Sequence, residues 1–309
     1  MNVIDTNNLT KSFKGHNVVR SISLQVKKGE IFGFLGRNGA GKTTFINMLT
    51  GIMMPTSGEF NLLNYKGNLD DIKHRIGVLP DYSSFYDNLS AKNHLKYFSK
   101  VSGKKISNSK ISETLQLVGL TEHQNKKVGK FSFGMKKKLG IAQAIVHDPE
   151  ILFLDEPTSG VDAEAVIQIQ KLIKELNRQG KTIFMTSHNL DEVEKICTNI
   201  AIMKEGKIFT QGSMEELRKA YQSTLTIRIK LSPELTMEHQ ERIEQNLSKE
   251  TYKYEWDENY LVTEVFTEED IPVLLMHLMS EGIGIYAVNV IEPSLEEIFL
   301  EQHVLNLKD

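Results

Sequence analysis

A glycine-rich stretch that ends in lysine and threonine carries the clearest chemical signal in this sequence. Residues 36–43 read Gly-Arg-Asn-Gly-Ala-Gly-Lys-Thr and fit the pattern G-x-x-x-x-G-K-[ST]. Glycines let successive backbone N–H groups point at one anion, and the start of a following helix adds partial positive charge. Lys42 would neutralise the outer phosphates of a nucleoside triphosphate, and the Thr43 hydroxyl would hold Mg²⁺. The predicted triphosphate-binding residues are Gly36, Arg37, Asn38, Gly39, Ala40, Gly41, Lys42, Thr43 and Thr44.

The residues on either side of this stretch indicate how it is positioned. Residues 30–35 form an apolar run of the kind found in buried strands, and residues 44–50 have helical spacing closed by Gly51. A strand, a glycine-rich loop and a helix in that order are the context that phosphate-binding loops require. The alternative, a glycine-rich turn with a stray lysine, leaves these flanking patterns unexplained.

Two carboxylates follow a second apolar run. Residues 151–154 read Ile-Leu-Phe-Leu, and Asp155 and Glu156 come directly after them. Ligands of α/β sheets bind at the carboxyl ends of the strands, so both side chains are candidates for catalysis. Asp155 would orient Mg²⁺ or its water shell, and Glu156 would polarise a water for attack on the γ-phosphate. A carboxylate pair at a strand end can also be a simple helix cap.

Two further polar positions are ambiguous when taken alone. Ser132 and Gly134 precede a helical segment at 136–147, and a hydroxyl, a glycine N–H and a helix start can together bind an anion. The alternative is an ordinary capped helix, and the lysine run at 136–138 is expected to be a solvated first turn. His188 follows another apolar strand, where a lone histidine is usually structural.

In combination, the order and spacing of these positions resemble the ATPase subunit of ATP-binding cassette (ABC) transporters over residues 1–212, and in particular the bacitracin- and drug-exporter type. The resemblance implies family roles for six groups of residues. Residues 36–43 would form the Walker A loop, residues 154–157 Walker B with Glu156 as the catalytic carboxylate, and residues 132–135 (Ser132, Phe133, Gly134 and Met135) the signature. Residues 160–162 would form the D-loop with Asp162, His188 would be the switch histidine, and Phe13, with Val18 beside it, would be the aromatic that stacks on adenine.

Four positions depart from the family pattern. Phe133 stands where glycine is usual, which costs the backbone the freedom needed for close approach to phosphate. Met135 stands where glutamine is usual, as in antibiotic and peptide exporter ATPases. Asp81 replaces the Q-loop glutamine; it is shorter and charged but can still reach Mg²⁺. Arg37 replaces a common proline, with little expected effect on nucleotide binding. The expected Mg²⁺ ligands are Thr43, Asp81 and Asp155.

The overall composition restricts the class of protein. The 309 residues carry 37 basic and 40 acidic side chains, a net charge of −3, which argues against a nucleic-acid-binding protein. The single cysteine, Cys197, excludes an internal disulfide and a cysteine zinc cluster and is expected to be a small buried residue. Residues 1–5 lack the features of an export signal, and no apolar run is long enough for a membrane span. A cytoplasmic location is therefore expected.

The chain divides into two parts by composition. Residues 1–220 alternate short apolar runs with helical segments, which predicts an α/β domain. The resemblance implies that this is a P-loop domain of the ABC ATPase type with a helical subdomain at about 85–148. From residue 221 onward, alternating strands and charged helices predict a small α+β accessory domain at 221–309. The stretch 293–300 is predicted to be a closing helix, and it resembles the end of many drug-exporter ATPases.

The resemblance also implies cofactors and partners. ATP and Mg²⁺ would lie between the loop of one copy and Ser132 and Gly134 of the other, in a head-to-tail homodimer. A separate membrane-spanning subunit would dock near residues 81–86, so the protein would be peripheral at the inner face of the cell membrane. It would power export of an antibiotic, peptide or other amphiphile. Two alternatives stay open: an import ATPase, and a soluble ABC-type ATPase that is not coupled to transport.

Overall fold

The computed structural model describes residues 1–65, 69–101, 103, 105–221, 224–232, 237–249 and 253–291. The chain falls into two compact units, one spanning Met1–Met214 and the other beginning at Glu215. Within these described ranges, no helix is both long enough and apolar enough to cross a bilayer. The predicted closing helix at 293–300 lies outside the described residues.

The first unit alternates strands and helices. Its described strands are β1 (Asn2–Phe13), β2 (His16–Lys27), β3 (Ile31–Leu35), β4 (Ser57–Leu62), β5 (Ile76–Leu79), β6 (Ile151–Asp155), β7 (Thr182–Ser187), β8 (Asn199–Lys204) and β9 (Lys207–Ser213). Its described helices are α1 (Lys42–Leu49), α2 (Leu69–Ile72), α3 (Ala91–Val101), α4 (Asn108–Leu117), α5 (Phe133–Ile145), α6 (Ala163–Arg178) and α7 (Leu190–Ile196), and α8 (Met214–Tyr221) begins at the boundary.

Two sheets make up this unit. The larger has the strand order β5-β6-β7-β3-β8-β9, parallel except for β9, and the smaller is antiparallel with the order β2-β1-β4. The sequence at 199–210 predicts two strands joined by Glu205 and Gly206, and the structure confirms this hairpin: β8 and β9 pair antiparallel, and both turn residues adopt left-handed backbone angles (φ 49° and 83°). The predicted α/β class with a central parallel sheet is confirmed.

The strand register brings the chemically important segments to one edge of the larger sheet. Leu35 at the end of β3 is paired with Ser187 at the end of β7, and Asp155 at the end of β6 is paired with Thr186. The glycine-rich loop, the carboxylate pair and His188 therefore leave the sheet side by side. This is the edge at which parallel sheets bind ligands.

A cluster of aromatic side chains anchors the elements that carry this edge. Phe34 on β3 stacks on Phe45 of α1 with ring centroids 4.9 Å apart, and both pack against Phe184 of β7. All three rings are fully buried, so α1 is held firmly against the sheet behind the loop. Cys197 is buried as expected, and burial raises the pKa of its thiol.

Three helices, α3, α4 and α5, are inserted between β5 and β6. The last of them, α5, approaches β5 closely, and each of the two elements contributes a glycine to the contact. A Cβ on Gly77 would lie 2.2 Å from the carbonyl oxygen of Ala144, and one on Gly140 would lie 2.5 Å from Leu79 Cδ1. At Gly77 only glycine permits this approach, because the atom that a Cβ would meet belongs to the backbone.

The second unit is a small α+β structure. Its described strands β10 (Leu225–Leu231), β11 (Tyr254–Asp257), β12 (Tyr260–Val265) and β13 (Ile285–Ile291) form an antiparallel sheet in the order β11-β12-β10-β13, and its described helices are α9 (Met237–Lys249) and α10 (Asp270–Ser280). Alternate residues of β10, Ile227 and Ile229, are fully buried against Leu274 and Leu278 of α10 in an apolar core. The sequence at about 251–256 predicts a strand that corresponds to β11, and its first two residues lie outside the described residues.

Candidate nucleotide site

The glycine-rich loop has the geometry of an anion cradle. Gly39 and Gly41 adopt left-handed backbone angles (φ 83° and 109°), and a Cβ on Gly41 would lie 2.7 Å from the carbonyl oxygen of Val18. The loop thus packs on Val18, and α1 begins directly after it at Lys42. Lys42 is buried, and its Nζ donates to the carbonyl oxygen of Gly36 at 2.7 Å. The ammonium therefore lies across the loop, at the start of the helix where a phosphate would bind.

Glu156 holds the central position of the site. Its carboxylate is buried between two nitrogen-bearing side chains: Oε1 lies 3.2 Å from Lys42 Nζ, and Oε2 lies 2.8 Å from His188 Nδ1. The Glu156 backbone is left-handed (φ 50°), an uncommon conformation for a residue with a side chain, and its N–H donates to Thr186 Oγ1 at 3.0 Å. The structure thus brings Lys42 next to Glu156, more than 100 positions later in the sequence, and next to His188 beyond it.

Asp155 lies beside Glu156 and faces hydroxyl groups. Its Oδ1 accepts from Thr186 Oγ1 at 2.5 Å. Burial raises the pKa of Asp155, while hydrogen bonds from Thr186 and Thr43 oppose that rise and the charges of Asp81 and Glu156 add to it. A hydroxyl next to a carboxylate is an oxygen donor set that suits Mg²⁺, which keeps several waters and needs few protein ligands.

Asp81 is placed differently from the other two predicted metal ligands. Its Oδ1 lies 3.7 Å from Lys137 Nζ, which also donates to the Asp81 carbonyl oxygen at 3.1 Å. The expectation that the lysine run at 136–138 is solvated is wrong for Lys137, which is only 5% exposed. Lys137 lies on the buried face of α5 because it is three residues after Gly134 and four before Ile141, which are both buried. That spacing is visible in the sequence.

The signature residues begin α5. Ser132 is the N-cap, and its Oγ accepts from the Met135 N–H at 3.2 Å. The Phe133 ring packs against the loop after β6, since a Cβ on Gly160 would lie 3.1 Å from Phe133 Cε1. Gly134 is buried in the helix. These residues thus combine a capped helix with an aromatic ring that faces the site.

Asp162 and Phe13 lie at the periphery. Asp162 caps α6, with its Oδ1 accepting from the Ala165 N–H at 2.9 Å. Phe13 ends β1 with 42% of its surface exposed, and Lys11 Nζ lies 5.3 Å from the centre of its ring. Phe13 does not line the cleft described next, whereas Val18 does.

These elements surround an open cleft of about 640 Å³. This volume is within the range of ligand sites, roughly 300–1,000 Å³. Its lining includes Ser159, for which the sequence predicted no role, and Tyr82, which was predicted only for the docking surface. The residues that line the cleft are Val18, Asn38, Gly39, Ala40, Gly41, Lys42, Thr43, Thr44, Asp81, Tyr82, Phe133, Glu156, Ser159, Gly160 and His188.

Comparison with known proteins agrees with this geometry. Residues 19–159 match the ABC transporter family, and residues 212–303 match a family described as the C-terminal domain of ATP-binding proteins like DrrA1-3. The bacitracin transport ATP-binding protein BcrA of Bacillus licheniformis is 36% identical over 97% of this chain and 96% of its own. The linearmycin resistance ATP-binding protein LnrL of Bacillus subtilis is 31% identical over 99% of this chain and all of its own.

A solved structure shares the fold of the first unit. It is a dimeric ATP-binding cassette in a post-hydrolysis state, bound to ADP and Pi, and it is 24% identical with a TM-score of 0.62 over 68% of this chain and 98% of its own. The predicted family, fold and ATPase activity are thus confirmed. This chain belongs to the ATP-binding proteins of ABC transporters, the family that hydrolyses ATP to power transport.

Proposed function

We propose that this chain is the energising subunit of an exporter and that Glu156 is the base in its ATP hydrolysis. The observation that carries the proposal is the position of the Glu156 carboxylate, buried between Lys42 on the phosphate loop and His188 after β7. A buried carboxylate at the wall of a phosphate cleft can accept a proton from an attacking water. His188 would hold the carboxylate and the water in line with the γ-phosphate.

The phosphates of ATP would lie on the N–H groups of the loop and the first turn of α1. Lys42 is tied to Glu156 and Gly36 in this structure, so it would turn from Glu156 to the outer phosphates when ATP binds. That exchange frees the carboxylate as it brings the substrate into place. Thr43, Asp155 and, at longer reach, Asp81 would hold Mg²⁺, which supplies charge neutralisation for the phosphates when bound. Phe13 would stack on the adenine from the end of β1.

We further propose that the active unit is a head-to-tail homodimer. Ser132 is exposed at the start of α5, so its hydroxyl is available to a nucleotide on the partner copy, and the N–H of the buried Gly134 would contribute at the same helix start. Asp162, at the start of α6, would lie near the same junction. Phe133 replaces a glycine here, and its ring would add an apolar contact where a bare backbone is usual. Nucleotide shared between two copies would make closure depend on ATP and reopening depend on hydrolysis.

The membrane-spanning partner would dock beside the cleft. Tyr82 is 91% exposed, and Tyr86 and Tyr97 are exposed in part and stack edge to face with ring centroids 5.1 Å apart. An exposed aromatic cluster next to Asp81 is a suitable contact for helices of a membrane subunit. We propose a peripheral location at the inner face of the cell membrane, with no nucleic acid partner. The antibiotic-type relatives favour an antibiotic, peptide or other amphiphile as cargo.

Purification with its membrane subunit tests the export role. The complex, reconstituted in vesicles, should hydrolyse Mg·ATP, and candidate amphiphiles such as bacitracin should stimulate hydrolysis and accumulate in the compartment away from the ATPase. Glu156→Gln should abolish both. Hydrolysis without directional movement of any amphiphile would count against export, and an absence of hydrolysis would count against the entire proposal.

A further inference from the structure

The ammonium of Lys137 bridges two backbone segments of the cleft. Its Nζ donates to the carbonyl oxygen of Glu156 at 2.8 Å and to that of Asp81 at 3.1 Å. These carbonyls follow neighbouring strands, since β5 and β6 pair from Ile76 to Leu79. One side chain from α5 therefore joins the loop that carries the catalytic carboxylate to the loop that leads to the aromatic docking surface.

The surroundings of Lys137 differ from those of an ordinary helix lysine. It is only 5% exposed, and the ring of Phe133 lies 5.8 Å from its Nζ on the cleft side. Burial lowers the pKa of Lys137, and the charges of Asp81, Asp155 and Glu156 oppose that change. Burying an ammonium is costly unless it is hydrogen-bonded and paired, and here two carbonyls and a carboxylate serve both needs.

The contact with Glu156 acts on a strained part of the backbone. Glu156 has a left-handed conformation, which is unfavourable for a residue with a Cβ. Thr186 Oγ1 accepts its N–H, and Lys137 Nζ donates to its carbonyl oxygen, so both sides of the residue are held. This backbone orientation directs the carboxylate toward Lys42 and His188.

We propose that Lys137 is a positioning residue for hydrolysis, which holds the Glu156 backbone so that its carboxylate faces the γ-phosphate. Since this role presupposes that Glu156 is the base, it rests on the proposed function. Through the same ammonium, Asp81 is fixed relative to Glu156. A shift of α5 or of the segment after β5 would therefore move the Glu156 backbone through its hydrogen bond with Lys137.

Lys137→Met in the full chain tests this role, because methionine has nearly the same length but no donor. We expect kcat for Mg·ATP to fall by about 10- to 100-fold, with KM changed by less than about threefold. We also expect amide hydrogen exchange at residues 153–160 to rise about tenfold without nucleotide, since the left-handed turn loses a support. Lys137→Gln keeps an N–H donor and should lie between wild type and Lys137→Met on both measures.

Lys138→Met is the matched control. Lys138 is the next residue on α5, is partly exposed, and donates to Gln168 on α6, away from the cleft. The Lys138→Met variant should have a kcat, and an amide hydrogen exchange rate at residues 153–160, within about twofold of wild type. If Lys137→Met hydrolyses ATP like wild type, the role is refuted. A uniform rise in exchange and a lower melting temperature that accompany the loss of kcat would also refute it, because Lys137 would then support only the fold. If Lys137→Met does not fold, the same criteria apply to Lys137→Gln.

These readouts separate the two proposals. If wild type does not hydrolyse ATP but exchange at 153–160 still depends on Lys137, the proposed function fails while the backbone contact stands. If wild type hydrolyses ATP and Lys137→Met does so equally well, only the positioning role fails.

Discussion

Lys42 Nζ lies 3.2 Å from Glu156 Oε1, with both side chains more than nine-tenths buried. Under the proposed function, Lys42 binds the phosphates and Glu156 accepts a proton from the attacking water, so ATP binding has to separate this ion pair. Breaking a buried ion pair is costly unless a new partner replaces the lost one. The γ-phosphate of ATP can supply that partner to Lys42. The pair would thus keep the base inactive until the substrate arrives.

Glu156→Gln should separate binding from hydrolysis. The amide cannot accept a proton from water, so we expect kcat to fall by about 100-fold or more. Because Lys42 no longer has to leave a carboxylate, ATP affinity should be equal to wild type or a few-fold tighter. Phosphate release and titration with a fluorescent ATP analogue measure the two quantities. Weaker ATP binding in this variant would contradict the exchange of partners proposed for Lys42.

Lys42→Ala should weaken ATP binding by about tenfold or more, because it removes a charge aimed at buried phosphates. AMP, which lacks the outer phosphates, should bind equally to the variant and to wild type. Lys28→Ala, an exposed lysine outside the cleft, is the control and should bind ATP normally. Unchanged ATP affinity in Lys42→Ala would remove Lys42 from the phosphate site.

His188→Ala should lower kcat by about 10- to 100-fold and leave ATP affinity within a few-fold of wild type. His188 Nδ1 lies 2.8 Å from Glu156 Oε2, while Lys42 Nζ lies 3.2 Å from the other carboxylate oxygen, Oε1. Its loss therefore disturbs the direction of the base more than the phosphate contacts. Single-turnover hydrolysis alongside ATP titration measures both. Weakened binding with unchanged turnover would exclude the orienting role.

His94 should make the first unit less stable in mild acid. It is fully buried on α3, with its ring 4.7 Å from that of Phe98, and Nε2 pairs with Gln143 Oε1 at 3.0 Å. Nδ1 has no hydrogen-bond partner among the described residues. Burial lowers the pKa of His94 below its usual 6.5, so the unfolded chain takes up a proton first as the pH falls. Titration of His94 therefore costs no folding stability above pH 6.5, and the free energy of unfolding falls as the pH drops from 6.5 toward the lowered pKa.

His94→Gln is uncharged at every pH and isolates this effect. Between pH 7 and pH 5, the melting temperature of wild type should fall by roughly 2–4 °C more than that of the variant. Other acidic and basic groups contribute equally to both proteins. If the melting temperatures of the two proteins depend on pH in the same way, burial of His94 does not reduce stability in acid.

A fragment of residues 1–220 should fold and bind ATP without the second unit. The cleft and the core around Phe34 and Phe184 lie entirely before Met214. We expect cooperative thermal unfolding and an ATP affinity within a few-fold of the full chain. Loss of cooperative unfolding in the fragment would indicate that the two units do not fold independently.

Local sequence patterns predicted the elements that are apolar and short. The strands β6 and β7 at the centre of the parallel sheet are fully buried and carry apolar runs at 151–154 and 183–185, and the glycine-rich loop has a distinctive spacing. By contrast, β1 was not predicted as a strand, because its sequence, Asn-Val-Ile-Asp-Thr-Asn-Asn-Leu-Thr-Lys-Ser-Phe, is rich in residues that favour turns. Pairing with both β2 and β4 overrides that local preference.

The supporting residues of the site were less predictable than the residues they support. Thr186 is fully buried and binds both Asp155 and the Glu156 N–H, yet a threonine at the end of an apolar strand has no distinctive pattern. Lys137 was hidden within a lysine run whose other members are more exposed. Such contacts depend on the register of β6 with β7 and on the close approach of α5, which arise only when distant segments pack.

The molecular mass of the Glu156→Gln protein in Mg·ATP is the most direct test of whether two copies dimerise around ATP. Light scattering should give twice the chain mass with Mg·ATP and the single-chain mass with Mg·ADP, because the triphosphate joins the loop of one copy to Ser132 of the other. Adding Ser132→Arg should abolish the ATP-dependent doubling while each copy still binds ATP. A single-chain mass in Glu156→Gln with its nucleotide site saturated by ATP would contradict the account.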